Sequence, residues 1–327
     1  MTPGKSLFGE PIDCISKDDI PPKLLKTYCW IHTTFSIESA WKKDLDSEIP
    51  YPGIDKYVPN EMRKYHAYYQ WVCFVLFFQA MFFYIPRWFW KRVEGGRVAQ
   101  LTKGIESSAT RDKVRENIVK YLTGSLPFHN SLFFMYALLE VLNLLNVIIQ
   151  MIIMDQFLGN EFSTYGLDVL KFTDWDWTVR YDPMLKVFPR MTKCTFRRFG
   201  SSGDVQKHDA MCVLPINIVN EKIYIFLWFW FYFVAIVSLI GLVYRLATLV
   251  SPRVRQLATY SRKRMSDVVS RDAFESIIKR RSCGTWFFLD LLSRNMDTKN
   301  FKQLVIDLDK SLEANDLAMI EYKPLQD

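Results

Sequence analysis

The alternation of apolar and polar residues divides the chain before any motif is considered. Residues 69–90 hold a single charged side chain, Arg87, residues 131–154 hold only Glu140, and residues 223–244 hold none and are fenced by Lys222 and Arg245. About 20 apolar residues, rising about 1.5 Å each, cross the roughly 30 Å hydrocarbon layer of a bilayer. Water-soluble core helices are rarely so long and so free of charge. The pattern therefore predicts an all-α integral membrane protein with three transmembrane helices.

The intervening segments have their own patterns. Residues 1–68 are punctuated by Pro11, Pro21, Pro22, Pro50, Pro52, Gly53 and Pro59, which disfavour long helix and predict a folded loop with short extended pieces. Residues 155–222 carry turn signals at Gly159, Gly166, Asp182-Pro183, Gly200 to Gly203 and Pro215, with β-type runs at Val187-Phe188 and Cys194 to Phe196 between them. In the segment 91–130, residues 112–122 place Val114, Ile118, Val119, Tyr121 and Leu122 mostly on one helical face. In the tail, 245–327, Ser251-Pro252 reads as an N-cap followed by a helix-starting proline. Apolar residues from Trp286 to Leu292 and from Phe301 to Leu308 recur there at helical spacing, which predicts a small helical domain packing against the loop helix.

Composition narrows the class and charge orients it. A chain of 327 residues that is 50% hydrophobic and 16% aromatic is no disordered tail, collagen-like fibre or disulfide mini-scaffold. The net charge of +7 is mild, but its placement is informative. Residues 91–130 hold 8 basic and 4 acidic side chains and residues 245–327 hold 15 and 11, whereas residues 1–68 hold 9 and 10 and residues 155–222 hold 9 and 9. The positive-inside rule then places the middle loop and tail in the cytoplasm and the other two segments outside. Residues 1–12 contain no apolar core that could serve as a signal peptide. Either a transmembrane helix precedes this sequence, or the first span inverts on insertion.

The six cysteines divide along the same lines. Cys14, Cys29, Cys194 and Cys212 fall in the two outside segments, where disulfides form, whereas Cys73 lies in a span and Cys283 in the tail. Four cysteines allow three pairings, and spacing does not choose among them. None forms C-x-x-C, so no metal or cofactor is expected.

No catalytic constellation is evident. The histidines, His32, His66, His129 and His208, are scattered and form no H-E-x-x-H, and there is no phosphate loop or nucleophile elbow. His66 and His129 border the spans and read as interfacial residues. An enzyme is not expected. Glu140 is different, because an acid within a span costs about 2.5 to 3.5 kcal/mol on insertion scales. Asn143, Asn146 and Gln150 extend it into an intramembrane polar stripe, which fits interhelical hydrogen bonding or a wall facing water. Pro86 removes a backbone donor near the end of the first span and predicts a kink. Tyr68-Tyr69-Gln70-Trp71 suits the headgroup layer. The basic loop and tail fit contact with membrane lipid and no nucleic acid.

These motifs resemble the innexin family, the gap-junction proteins of invertebrates. Tyr68-Tyr69-Gln70-Trp71-Val72 is similar to the signature opening the family's second transmembrane helix, and Ile85-Pro86-Arg87 and Glu94-Gly95-Gly96-Arg97 are similar to motifs at the far end of that helix and just beyond it. Glu161 to Gly166, Val187-Phe188-Pro189, Thr192 to Phe196, Cys212 to Pro215 and Asn220 to Tyr224 resemble the second extracellular loop and the entry to the fourth helix. Gly9 to Cys14 already resembles the start of the first extracellular loop, so the chain is expected to lack the N-terminal cytoplasmic segment and first helix, which line the pore in the family.

The resemblance implies an innexin-like bundle with three of the usual four transmembrane helices and disulfide-stapled extracellular loops carrying short β-strands. It also implies the pairings Cys14 with Cys212 and Cys29 with Cys194. The implied function is a subunit of a gap-junction channel or hemichannel at the plasma membrane, passing ions and small solutes passively between cells. Such a subunit forms homo- or hetero-oligomers with other innexin subunits and docks head to head with a hemichannel of the adjacent cell. The alternative is a non-conducting regulatory or adhesion-like subunit that co-assembles with complete innexins. A secondary transporter is disfavoured, because inverted repeats and broken helices are missing.

Overall fold

The computed structural model describes residues 10–17, 20–45, 47–56, 58, 60–124, 126–172, 183–265 and 267–322. The chain is mostly helical, with one small antiparallel sheet. In order, β1 (Asp13–Ile15), α1 (Pro22–His32), β2 (Thr34–Ile37) and β3 (Arg63–His66) precede the long helix α2 (Val72–Glu94). Next come α3 (Arg97–Thr102), α4 (Arg111–Gly124), α5 (Leu126–Phe157), α6 (Phe162–Lys171) and α7 (Pro183–Val187). Strands β4 (Met191–Phe199) and β5 (Val205–Val213) lead to α8 (Ile216–Val250) and to the tail helices α9 (Pro252–Lys263), α10 (Val268–Arg280), α11 (Cys283–Arg294) and α12 (Thr298–Tyr322).

Among the described residues α2, α5 and α8 are the helices long and apolar enough to cross a membrane. Each runs beyond its apolar stretch, α8 most of all. Hydrophobicity measures the span, whereas the helix continues for as long as its backbone bonds can be made.

The chain divides into two compact units, residues 1–80 with 147–234, and residues 81–146 with 235–327. In the first, the sheet order is β1-β5-β4-β2-β3, so strands from the two sequence-distant outer segments interleave. Cys14 pairs in register with Cys212, and Phe35 with Lys193. Helix α1 contributes the buried Leu25 and Cys29 to the core beneath. The proline-rich first segment was expected to hold no long helix and to form short extended pieces, and it carries the 11-residue α1, with Pro22 in a first-turn position. Its missing N–H costs nothing there, and its fixed φ favours the helix. Val187 and Phe188, expected to be extended, instead close the short helix α7, and the Phe188 ring is fully buried.

The second unit is helical. Ile118 and Leu122 of α4 pack with Phe274 of α10, Phe288 of α11 and Phe301 of α12 in one core. The Trp286 indole N–H donates to Thr259 Oγ1 at 3.2 Å, which fixes α11 against α9. Ser251 and Pro252 take the N-cap and first helical positions of α9. The Glu94-Gly95-Gly96 motif has a local cause. Gly95 and Gly96 turn at φ 65° and 71°, a region that side chains disfavour. The Glu94 carboxylate then accepts from the Gly96 and Val98 N–H groups at 2.8 and 2.9 Å, satisfying donors that start α3.

Candidate functional site

Cysteine chemistry organises the first unit. The structure bonds Cys14 to Cys212 and Cys29 to Cys194, across sequence separations of 198 and 165 residues. The Cys14, Cys29 and Cys212 sulfurs lie within 4.8 Å of one another, yet each is committed to a disulfide, so none is a thiolate ready for a metal. Cys73 and Cys283 are free.

The Tyr68-Tyr69-Gln70-Trp71 signature forms the collar where this unit meets α2. Tyr69 is buried against Trp30 of α1, with ring centroids 4.7 Å apart, and Tyr68 packs edge-on against Phe188 at 5.6 Å. Burial pushes the Tyr68 phenol up from its ordinary pKa, so it stays protonated. The Gln70 amide donates to the carbonyls of Trp30 and Ile31, the end of α1. Trp71 points outward, 59% exposed, as an interfacial anchor would. The collar is thus a structural joint between loop and helix.

A second joint ties α6 to α8. The Trp228 N–H donates to the Ser163 carbonyl at 3.2 Å, and a methyl added at Gly166 would overlap the indole. Glycine at 166 permits the close approach.

The expected polar stripe of α5 resolves into separate contacts within the second unit and one buried residue in the first. Glu140 makes a bidentate pair with Arg245 of α8, at 2.7 Å to Nε and 2.9 Å to Nη2. The guanidinium also lies over Tyr136 at 4.7 Å and over Phe287 of α11 at 5.2 Å. Asn146 donates to the Phe82 carbonyl of α2 at 3.4 Å. Phe82 lies four residues before Pro86, so its carbonyl is the one the proline leaves without an N–H. Asn143 is exposed and Gln150 buried. At Glu140 and Asn146 the contacts are the interhelical kind.

Sequence reasoning missed Arg245, which it read only as the fence at the end of an apolar run. The usable signal was an unpaired acid in one span and a base on another. The border histidines also differ from expectation. His66 is buried beside Ser36, with Nε2 2.8 Å from Oγ, and burial pulls its pKa down to about 3. His129 is buried and stacked on Phe288 at 4.7 Å. Both belong to protein cores rather than to the interface, because the loop and tail domains cover the helix ends.

Residues 1–312 match the family model described as Innexin. The chain belongs to the innexin family. It is 46% identical to Innexin shaking-B of Drosophila melanogaster over 95% of this chain and 84% of that protein. It is 43% identical to Innexin inx2 of the same fly, over 97% and 86%, and 44% identical to Innexin inx2 of Schistocerca americana, over 97% and 89%. In this innexin, the stapled sheet, the aromatic collar and the Glu140–Arg245 pair are the main built features of the described residues.

Proposed function

We propose that this innexin is a subunit of a gap-junction channel or hemichannel that passes ions and small solutes passively between cells. The observation that carries the reading is the pair of disulfides that lock two distant segments into one sheet, in a chain with three helices long and apolar enough to cross a membrane. Docking across a cell gap needs a rigid outer surface, and each long-range crosslink contributes about 2 to 4 kcal/mol to holding one. On this reading residues 1–68 and 155–222 lie outside and 91–130 and 245–327 inside. The membrane helices then correspond to the last three of the four that the family resemblance implies, in a multi-pass plasma-membrane protein at the cell junction.

The spans also favour an oligomer. Fewer than a quarter of the residues in each span's most apolar window are buried within the chain, which leaves their remaining faces for lipid and neighbouring innexin subunits. Passive conduction requires a wide wet path and no catalytic group.

The test is junctional conductance between paired cells expressing only this chain, with surface delivery verified in the same cells. Conductance supports the reading. Silence with the protein at the surface would refute it for the chain alone and favour a regulatory subunit that acts with other innexins.

A further inference from the structure

The two faces of the five-stranded sheet are chemically opposite. One carries Cys14, Cys194 and Cys212 and is closed by the disulfides and α1. The other, from Phe35, Tyr65, Lys193, Thr195, Arg197 and Lys207, forms one wall of an open cleft of about 410 Å³. Arg63, Lys193, Arg197 and Lys207 line it, against only two carboxylates, Glu61 and Asp209. Asp209 pairs with Lys193 at 2.9 Å and Glu61 accepts from the Ser39 hydroxyl, so the lining keeps an excess of positive charge.

Arg197 and Lys207 stand directly opposite each other in the β4–β5 register. Facing residues in an antiparallel pair have Cβ atoms about 4.5 to 5.5 Å apart, and like charges so placed are destabilising. Among the described residues neither has a carboxylate partner. A strand pair that needed only solubility could place opposite charges here, as the diagonal pair of Lys193 and Asp209 does farther along the same face. The exposed Tyr65 ring supplies an apolar contact beside the buried Phe35, which is tilted 54° from it and lies 4.6 Å beneath the Arg63 guanidinium, and the Thr195 hydroxyl and Asn60 amide supply neutral donors. Cations beside an exposed aromatic ring, in a cleft of this volume, suit a small organic anion.

We propose that this cleft binds an organic anion carrying sulfate or phosphate esters, held by Arg197 and Lys207 with its carbon framework against the exposed Tyr65 ring. The proposal goes beyond the channel reading. Two sources share that chemistry, a sulfated sugar of a cell-surface glycan and a soluble sugar phosphate.

The test is calorimetric binding to the full chain purified in detergent. The probes are a trisulfated heparin disaccharide and fructose 1,6-bisphosphate, with an unsulfated neutral disaccharide as the blank. Saturable binding of either charged probe is expected, and the stronger one identifies the source. The double variant Arg197→Gln with Lys207→Gln should weaken it by about tenfold or more, since a tenfold loss needs only one good charged contact. It should not melt earlier than the parent, because it removes an unfavourable pair. Arg198→Gln, on the same strand but the opposite face, should bind as the parent does. No saturable binding of either charged probe, or an equal loss in the Arg198 variant, overturns the proposal.

Discussion

Removing either member of the Glu140–Arg245 pair should damage the chain more than removing both. The two side chains are 21% and 9% exposed and share a bidentate contact. Glu140→Met or Arg245→Met alone leaves a charge in a low-dielectric setting, which costs about 3 to 5 kcal/mol. For a chain of this size, at about 2 °C per kcal/mol, that is a fall in melting temperature of about 6 to 10 °C. The double variant replaces the pair with two apolar side chains of similar length, so it should fall by less than either single change. Arg245→Lys should lie between, because an ammonium cannot make the two parallel bonds or lie flat over Tyr136 and Phe287. The assay is thermal unfolding of detergent-purified protein, followed by tryptophan fluorescence, for the parent, both singles and the double. Losses that simply add, to within about 0.5 kcal/mol, would refute the coupling.

Four further outcomes rest on the same geometry. Asn146→Leu should destabilise the parent by about 0.6 to 1.7 kcal/mol but cost less in a Pro86→Ala background, where the restored N–H can serve the Phe82 carbonyl; the same melting cycle measures this. Gly166→Ala should cost about 1 to 3 kcal/mol by overpacking against Trp228, and Trp228→Phe should recover part of the loss. Replacing Cys29 and Cys194 together with Ser should remove about 2 to 5 kcal/mol and shift mobility on a non-reducing gel. His66 is held neutral in the fold, with its pKa near 3 rather than the usual 6.5, so the unfolded chain binds the extra proton between those values. Stability should therefore be intact above pH 6.5 and fall on acidification by up to about 1.4 kcal/mol per pH unit. A melting series against pH should lose that slope in His66→Gln.

How far the sequence revealed this architecture depended on which interactions leave a local trace. The three helices long and apolar enough to cross a membrane were visible because a run of that length with at most one charge has few other uses, and the helix at 111–124 because its apolar face repeats at helical spacing. Helix α1 was not, since Pro21 and Pro22 read as breakers when Pro22 in fact begins it. Arg245 was hidden for a similar reason. A base at the edge of an apolar run looks like a boundary, and only its distance to Glu140 identifies it as a partner. Spacing alone left three cysteine pairings open; the family resemblance chose one, and the sheet register displays why Cys14 can reach Cys212.

Both disulfides impose an order of events on the young chain. Each closes a loop that contains α2 and α5, so neither can form until two helices have been synthesised and the later cysteine has emerged. Until then Cys14 and Cys29, a short stretch apart, have only each other. An early Cys14–Cys29 bond would have to be exchanged later, and the native cluster places the Cys212 sulfur within 4.8 Å of both. The final crosslinks are thus available only to molecules whose two segments have met.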